Sequence, residues 1–156
     1  MKFPESLLIR ALDTASGLPI SNVALCMILK ATHKNDYCVG PKITDDNGEV
    51  RFFRADCEAS IQRAQEMFVM DYVGDLASCG SRIEIRLHLP EAISRMIQQF
   101  NQMPDFWGRG FLEADHLHRA LREARNARYE PMSVSVHQDD LLVVPDVCIH
   151  LMAKAN

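Results

Sequence analysis

Apolar residues recur at every second position through most of this chain, and at every third or fourth in one stretch past its middle. The first spacing predicts strands and the second helices. Ser6 to Leu12 is a short apolar run and reads as a first strand. It breaks at Asp13-Thr14-Ala15-Ser16-Gly17-Leu18-Pro19, where Gly17 can take a positive φ and Pro19 ends pairing. Asn22 to Lys30 is the second strand. Val23, Leu25, Met27 and Leu29 occupy one face of it, and Ala24, Cys26 and Ile28 the other. A strand apolar on both faces is covered on both, so its sheet is expected to carry a further layer.

Tyr37 to Thr44 is the third strand, bent or interrupted at Gly40-Pro41. Asp45-Asp46-Asn47-Gly48 predicts a type I′ hairpin turn, with Glu49 to Arg54 returning. Asp56 to Gln65 is ambiguous and compatible with a short helix, Glu66 to Tyr72 reads as a strand, and Gly74 to Gly80 as a loop. Arg82 to Leu89 alternates cleanly. Ile83, Ile85, Leu87 and Leu89 are expected inward, with Arg82, Glu84, Arg86 and His88 outward.

Pro90 then opens a helix over about 91–103, because its missing N–H is not needed in a first turn. Ile93, Met96, Ile97 and Phe100 form the apolar face. A second helix over about 112–128 carries the stripe Ala114, Leu117, Leu121 and Ala124. Its acids, Glu113 and Asp115, precede its bases, Arg125 and Arg128, as the helix dipole favours. Ser133 to His137 is a short strand. Asp140 to Met152 holds the last one, with Pro145 marking an edge or a bulge. The expected architecture is a single mainly β domain over residues 1–156, a β-sandwich with two inserted α-helices.

The length suits one domain with its own core. A net charge of −4 provides no concentrated basic surface and argues against a nucleic-acid partner. The apolar run Leu7 to Ile9 is shorter than a signal-peptide core, and no stretch approaches the roughly 20 apolar residues of a membrane span. The expectation is a cytoplasmic protein with no membrane partner. Cys26, Cys38, Cys57, Cys79 and Cys148 form no CxxC pair. An odd count without an export signal reads as reduced thiols serving as small apolar side chains.

The segment LIRALDTASGLPISNVALCMIL followed by ITDDNGEVRFF, within Leu8 to Phe53, resembles the start of transthyretin-like (prealbumin-like) domains. These include hydroxyisourate hydrolases and the related carboxypeptidase regulatory-like modules. The matching residues are Asp13 ending the first strand, Gly17 and Pro19 in the turn, and Thr44, Asp45 and Gly48 at the hairpin. The resemblance implies a transthyretin-like, immunoglobulin-like β-sandwich. For the hydrolases it implies a first-strand His, an Arg near the hairpin and a C-terminal Tyr-Arg-Gly-Ser segment. Here the His position falls near Arg10, Arg51 or Arg54 stands for the Arg, and the C-terminus CIHLMAKAN has no such segment.

Candidate chemistry is sparse. There is no GxSxG, phosphate loop or HExxH, and no cofactor is called for. His116 and His118 are two apart, so a regular helix points them about 200° from each other. Asp115 and His118 are three apart and share a face, but a solvated helix face is the default and no metal site is assigned. Cys148 and His150 share a strand face about 7 Å apart at Cα, too far for a nucleophile and its base. Cys57 lies between two carboxylates that blunt its reactivity. Arg119, Arg122, Arg125 and Arg128 recur every third residue and offer a basic stripe to an acidic partner; Phe106 and Trp107 offer an aromatic anchor.

These readings favour a non-catalytic protein-interaction or structural module. Its partner is another protein or itself, with a two-fold homodimer expected from the two-faced second strand and an edge-placed last strand. The alternative is a small-molecule hydrolase or ligand-binding protein with a site around Arg10, His88, Arg51 and Arg54. All five thiols are expected to be free in the native protein, so titration under denaturing, non-reducing conditions should return five per chain; a count of three would mean a disulfide.

Overall fold

The computed structural model describes residues 2–31, 36–67, 76, 79–102 and 114–155. The strands are β1 (Ser6–Asp13), β2 (Ala24–Ala31), β3 (Tyr37–Ile43), β4 (Glu49–Phe53), β5 (Cys79–Leu87), β6 (Ser133–His137) and β7 (Asp146–Leu151). The α-helices are α1 (Arg54–Met67), α2 (Pro90–Gln102), α3 (Ala114–Glu123) and α4 (Gln138–Val143). The strands form two sheets, of order β4-β1-β7 and β3-β2-β5-β6. β1 runs antiparallel to β4 and parallel to β7, while every pairing in the second sheet is antiparallel.

The inner faces of the two sheets share one apolar core. Leu7, Ile9 and Ala11 of β1 and Val50 and Phe52 of β4 meet Leu25, Met27 and Leu29 of β2 and Ile83, Ile85 and Leu87 of β5. Cys57 and Ile61 of α1 and Leu141 of α4 join the same cluster. A second core lies on the far side of β2. There Ala24 packs with Ile93, Met96 and Phe100 of α2 and Leu117 and Leu121 of α3. The second face of β2 is thus covered from within the chain. Asn126, in a 3-10 turn after α3, fastens this layer. Its Oδ1 accepts from Ala24 N–H (2.8 Å), and its Nδ2 donates to the carbonyls of Ala24 (2.9 Å) and His88 (2.7 Å).

The residues of the Asp-Gly-Pro and Thr-Asp-Gly motifs converge on one joint. Asp13 Oδ1 accepts from the N–H groups of Ala15 (2.7 Å) and Ser16 (3.2 Å). The buried Thr44 hydroxyl donates to Ile20 O (2.8 Å) and accepts from Val23 N–H (3.2 Å). Asp45 Oδ1 accepts from Asn47 and Glu49 N–H, both at 2.9 Å. Gly48 sits against Ala11, Pro19 and Ile20 with φ 71°. The expected hairpin is not one: β3 and β4 belong to different sheets, so this turn carries the chain across the core. Nor is the turn type I′, because that type needs two successive positive φ values and Gly48 alone has one here. The Asp45 carboxylate caps the turn instead.

Other expectations change with tertiary context. The ambiguous segment after β4 is a full 14-residue helix, α1, so the helices are more than the two expected. It includes Glu66 and Met67, where a strand was expected; residues 68–72 lie outside the described residues. β5 starts at Cys79 and ends at Leu87, which leaves Leu89 half exposed in the link to α2 rather than inward. Helix α3 stops at Glu123, short of 128, so Arg125 and Arg128 are not on it. Asp140 to Val143 is helical, because His137 Nδ1 caps Asp139 N–H (3.2 Å) and only Leu141 of that run reaches the core. Pro145 therefore precedes β7 rather than interrupting it, though β7 is indeed an edge strand. Gly40-Pro41 stays within β3, opposite a register shift between Leu25 and Met27 of β2.

A Cβ on Gly48 would lie 2.7 Å from Ala11 O and 2.9 Å from Ile20 N, both backbone atoms. Gly48→Val is expected to cost about 1–3 kcal/mol or more in urea unfolding, since steric crowding adds to the strained φ. A variant as stable as the parent would show that the joint tolerates opening.

Candidate functional site

Edge strands β3 and β4 come from different sheets and flank a cleft of about 510 Å³. Its apolar walls include Leu8, Pro41, Ile43, Phe53 and Leu117. Lys42 closes one side. Its Nζ lies 2.5 Å from Asp56 Oδ2, donates to Arg51 O (2.9 Å), and sits over the rings of Phe52 (5.3 Å) and Phe53 (5.2 Å). Asp56 also accepts from Phe53 N–H at 2.7 Å, which fixes the entry into α1. Lys42, Asp45 and Asp56 thereby occupy polar groups along the outward edge of β4, a placement that discourages pairing with a foreign strand.

Every acid of the cleft is engaged. Asp45 holds its turn, Asp56 holds Lys42, and Glu49 accepts from Arg10 Nε at 3.1 Å. Arg51 differs. It is exposed, lines the cleft, and its Nη1 donates to Ser6 Oγ (3.1 Å), with no carboxylate partner among the described residues.

The four residues expected to share a ligand site do not gather. Arg10 and Arg51 stand on the outer face of the first sheet, two residues apart in register. Arg10 is committed to Glu49 and to Asp146 Oδ2 (2.6 Å), tying β1 to both its neighbours. Arg54 donates from Nε (3.0 Å) and Nη2 (2.6 Å) to Phe3 O, a clasp on the N-terminal segment. His88 lies in the other layer, between β5 and α2, with its backbone bonded to Ala24 and Asn126. Arg119 and Arg122 are exposed on α3, and Arg122 Nε donates to His118 Nε2 (3.0 Å) while His118 stacks on Phe100. None of Arg119, Arg122, Arg125 and Arg128 forms a salt bridge among the described residues. Phe106 and Trp107 lie outside the described residues. Cys148 and His150 are both exposed on the outer face of β7.

Sequence reasoning passed over Lys42 and Asp56, which close the cleft. Lys42 follows Pro41 at a strand position where alternation gives no reason to look. Asp56 sits at the third position of a helix whose apolar pattern is weak. Their one legible signal is an acid in the first turn after a strand, the mark of a helix start.

Compared with known proteins, the chain matches no protein-family model, no curated protein and no solved structure. Among the described residues no helix is long and apolar enough to cross a membrane, and no group of three His, Cys, Asp or Glu side chains could hold a metal.

His88 generates the pH dependence of this layer. Its Nε2 is buried without a hydrogen-bond partner among the described residues. Burial, and secondarily Arg95, holds its pKa below the usual histidine value. The unfolded chain therefore protonates first as pH falls. The stability from a neutral His88 is present above about pH 6.5 and is lost as pH drops through the lower folded value. Urea midpoints are expected to fall between about pH 7.5 and pH 5, and His88→Leu should flatten that slope. An equal slope in the variant would assign the effect to another group.

Proposed function

We propose that the chain is a non-catalytic protein-interaction module of transthyretin-like β-sandwich type, which docks an extended acidic segment of a partner protein in the cleft between β3 and β4. Two features support the fold assignment. Two sheets enclose one core, with the fourth strand returning beside the first. The six motif residues also act together, since Asp13, Gly17, Pro19, Thr44, Asp45 and Gly48 build one inter-sheet joint. Their role there is architectural, which fits a shared fold without a shared activity.

The observation that carries the docking reading is how the charged groups of the cleft are paired. Its three carboxylates are satisfied internally, while Arg51 is left to donate to a hydroxyl and to solvent. An arginine flanked by Leu8 and Phe53 suits a carboxylate next to an apolar side chain. Among the described residues the cleft lining includes no His, Cys or Ser. The volume also lies within the roughly 300–1,000 Å³ of small-molecule sites, which makes a small carboxylate the competing ligand.

A random-peptide library selected on the full chain is expected to return Asp or Glu beside an aliphatic or aromatic residue. Their binding should fall at least about tenfold in Arg51→Glu with the urea midpoint unchanged. Peptides indifferent to both Arg51→Glu and Phe53→Ser would place docking elsewhere. A light-scattering mass of twice 17.7 kDa that Arg51→Glu halves would identify the partner as a second copy.

A further inference from the structure

Cys26 and Cys38 meet on the face of the four-stranded sheet opposite its main core. Cys38 pairs with Ile28 in the β2–β3 register, so Cys26 is its diagonal neighbour on the same face. The register slips between Leu25 and Met27, which leaves the two thiols side by side across the β2–β3 seam. On the other side of β2, Arg86 of β5 stands directly opposite Cys26, and Glu84 opposite Ile28. Cys26 is buried; Cys38 is exposed on edge strand β3.

The two sulfurs differ as an attacking and a resolving thiol must. Cys38 has its pKa lowered by the neighbouring Cys26 thiol and by the field of Arg86 and of Arg63 from α1. Cys26 is pushed up, first by its coupling to Cys38 and then by burial. Other charges on this face include Glu84, held to about 2 mainly by Arg86, Lys30, which bridges Glu84 (3.1 Å) and Asp36 (3.2 Å), and Arg82 two residues along β5 from Glu84. An accessible thiolate beside a second thiol is the arrangement in which sulfenic acid passes on to a disulfide.

We infer that Cys38 and Cys26 form a thiol redox site, which hydrogen peroxide converts to an intramolecular disulfide. The Cys38 thiolate attacks one peroxide oxygen; an S–O bond forms, the O–O bond breaks, and the leaving hydroxide takes a proton to become water. Cys26 sulfur then attacks the Cys38 sulfenic acid. The S–S bond forms, the S–O bond breaks, and the departing hydroxyl takes the Cys26 proton as a second water. Two thiols lose two electrons, and these reduce the peroxide. Diagonal neighbours on adjacent strands start about 7 Å apart at Cα, near the upper limit for a disulfide. β3 must therefore shift inward, and as an edge strand it has one neighbour to accommodate.

The full reduced chain, treated with stoichiometric hydrogen peroxide and then alkylated, provides the test. Trypsin cuts between the two cysteines at Lys30 and Lys34, so the disulfide appears as a linked pair of peptides. The expected result is loss of two thiols, a Cys26–Cys38 linkage reversed by dithiothreitol, and faster alkylation of Cys38 than of the exposed Cys148. In Cys26→Ser and in Cys26→Ala, Cys38 should instead stop at sulfenic acid, trapped by dimedone. Oxidation of Cys148 before Cys38, a Cys57–Cys79 linkage in place of the expected one, or Cys38 alkylation no faster than that of Cys148 would overturn the inference.

Discussion

From Ala24 to Leu29, β2 is buried on both faces, and the rest of the chain is arranged to keep that stretch dry. Leu25, Met27 and Leu29 look into the space between the sheets, and Ala24, Cys26 and Ile28 look out of it. Two separate layers must therefore pack on one strand. Sheet β4-β1-β7 supplies the first, and α2 with α3 supplies much of the second. A helix layer against a sheet needs more than apolar contact to hold one position. Asn126 provides it, spending its amide on Ala24 at the start of β2 and on His88 at the end of β5. A buried amide with three satisfied bonds fixes position as well as adding stability, because any slip leaves backbone groups unpaired.

The second constraint is the crossing between the sheets. The chain passes from β1 to β2 and from β3 to β4 at neighbouring points, and the two turns are built into each other. Thr44 bonds across to Ile20 and Val23, while Gly48 fills the space beside Ala11 and Pro19 that a side chain would occupy. This joint sets the relation between edge strands β3 and β4, and so the width of the cleft between them. Lys42 and Asp56 then close the cleft and protect the edge of β4 with the same pair of charges.

The charges on the outer face of the first sheet differ in how far they are committed. Arg10 and Arg51 are neighbours on the same face, yet Arg10 is consumed by two carboxylates and Arg51 by a hydroxyl. Exposed ion pairs such as those of Arg10 add little stability. Their effect is to remove Glu49 and Asp146 as partners and leave Arg51 facing the cleft with no carboxylate partner among the described residues.

Local spacing alone determined a good part of this. The alternation in β1, β2 and β5, the face pattern of α2, and the turns at Gly17 and Gly48 follow from residue type and neighbours, since strand and helix periods and positive φ are local properties. The two-faced pattern of β2 even announced a second layer. Local spacing did not decide which strands pair. Asn47-Gly48 signals a reversal in any context, but whether β4 returns to β3 or crosses to β1 depends on which inner face Val50 and Phe52 complete. The run Leu141 to Val144 reads as strand by composition. It is mostly helix because the core has room for Leu141 and leaves the next three residues outside. Arg10 and Arg51 are the same residue type in similar settings. Only the fold brings Asp146, 136 positions away, onto one and not the other. Sequence order does not carry that proximity, so the committed arginine and the open one are told apart only in three dimensions.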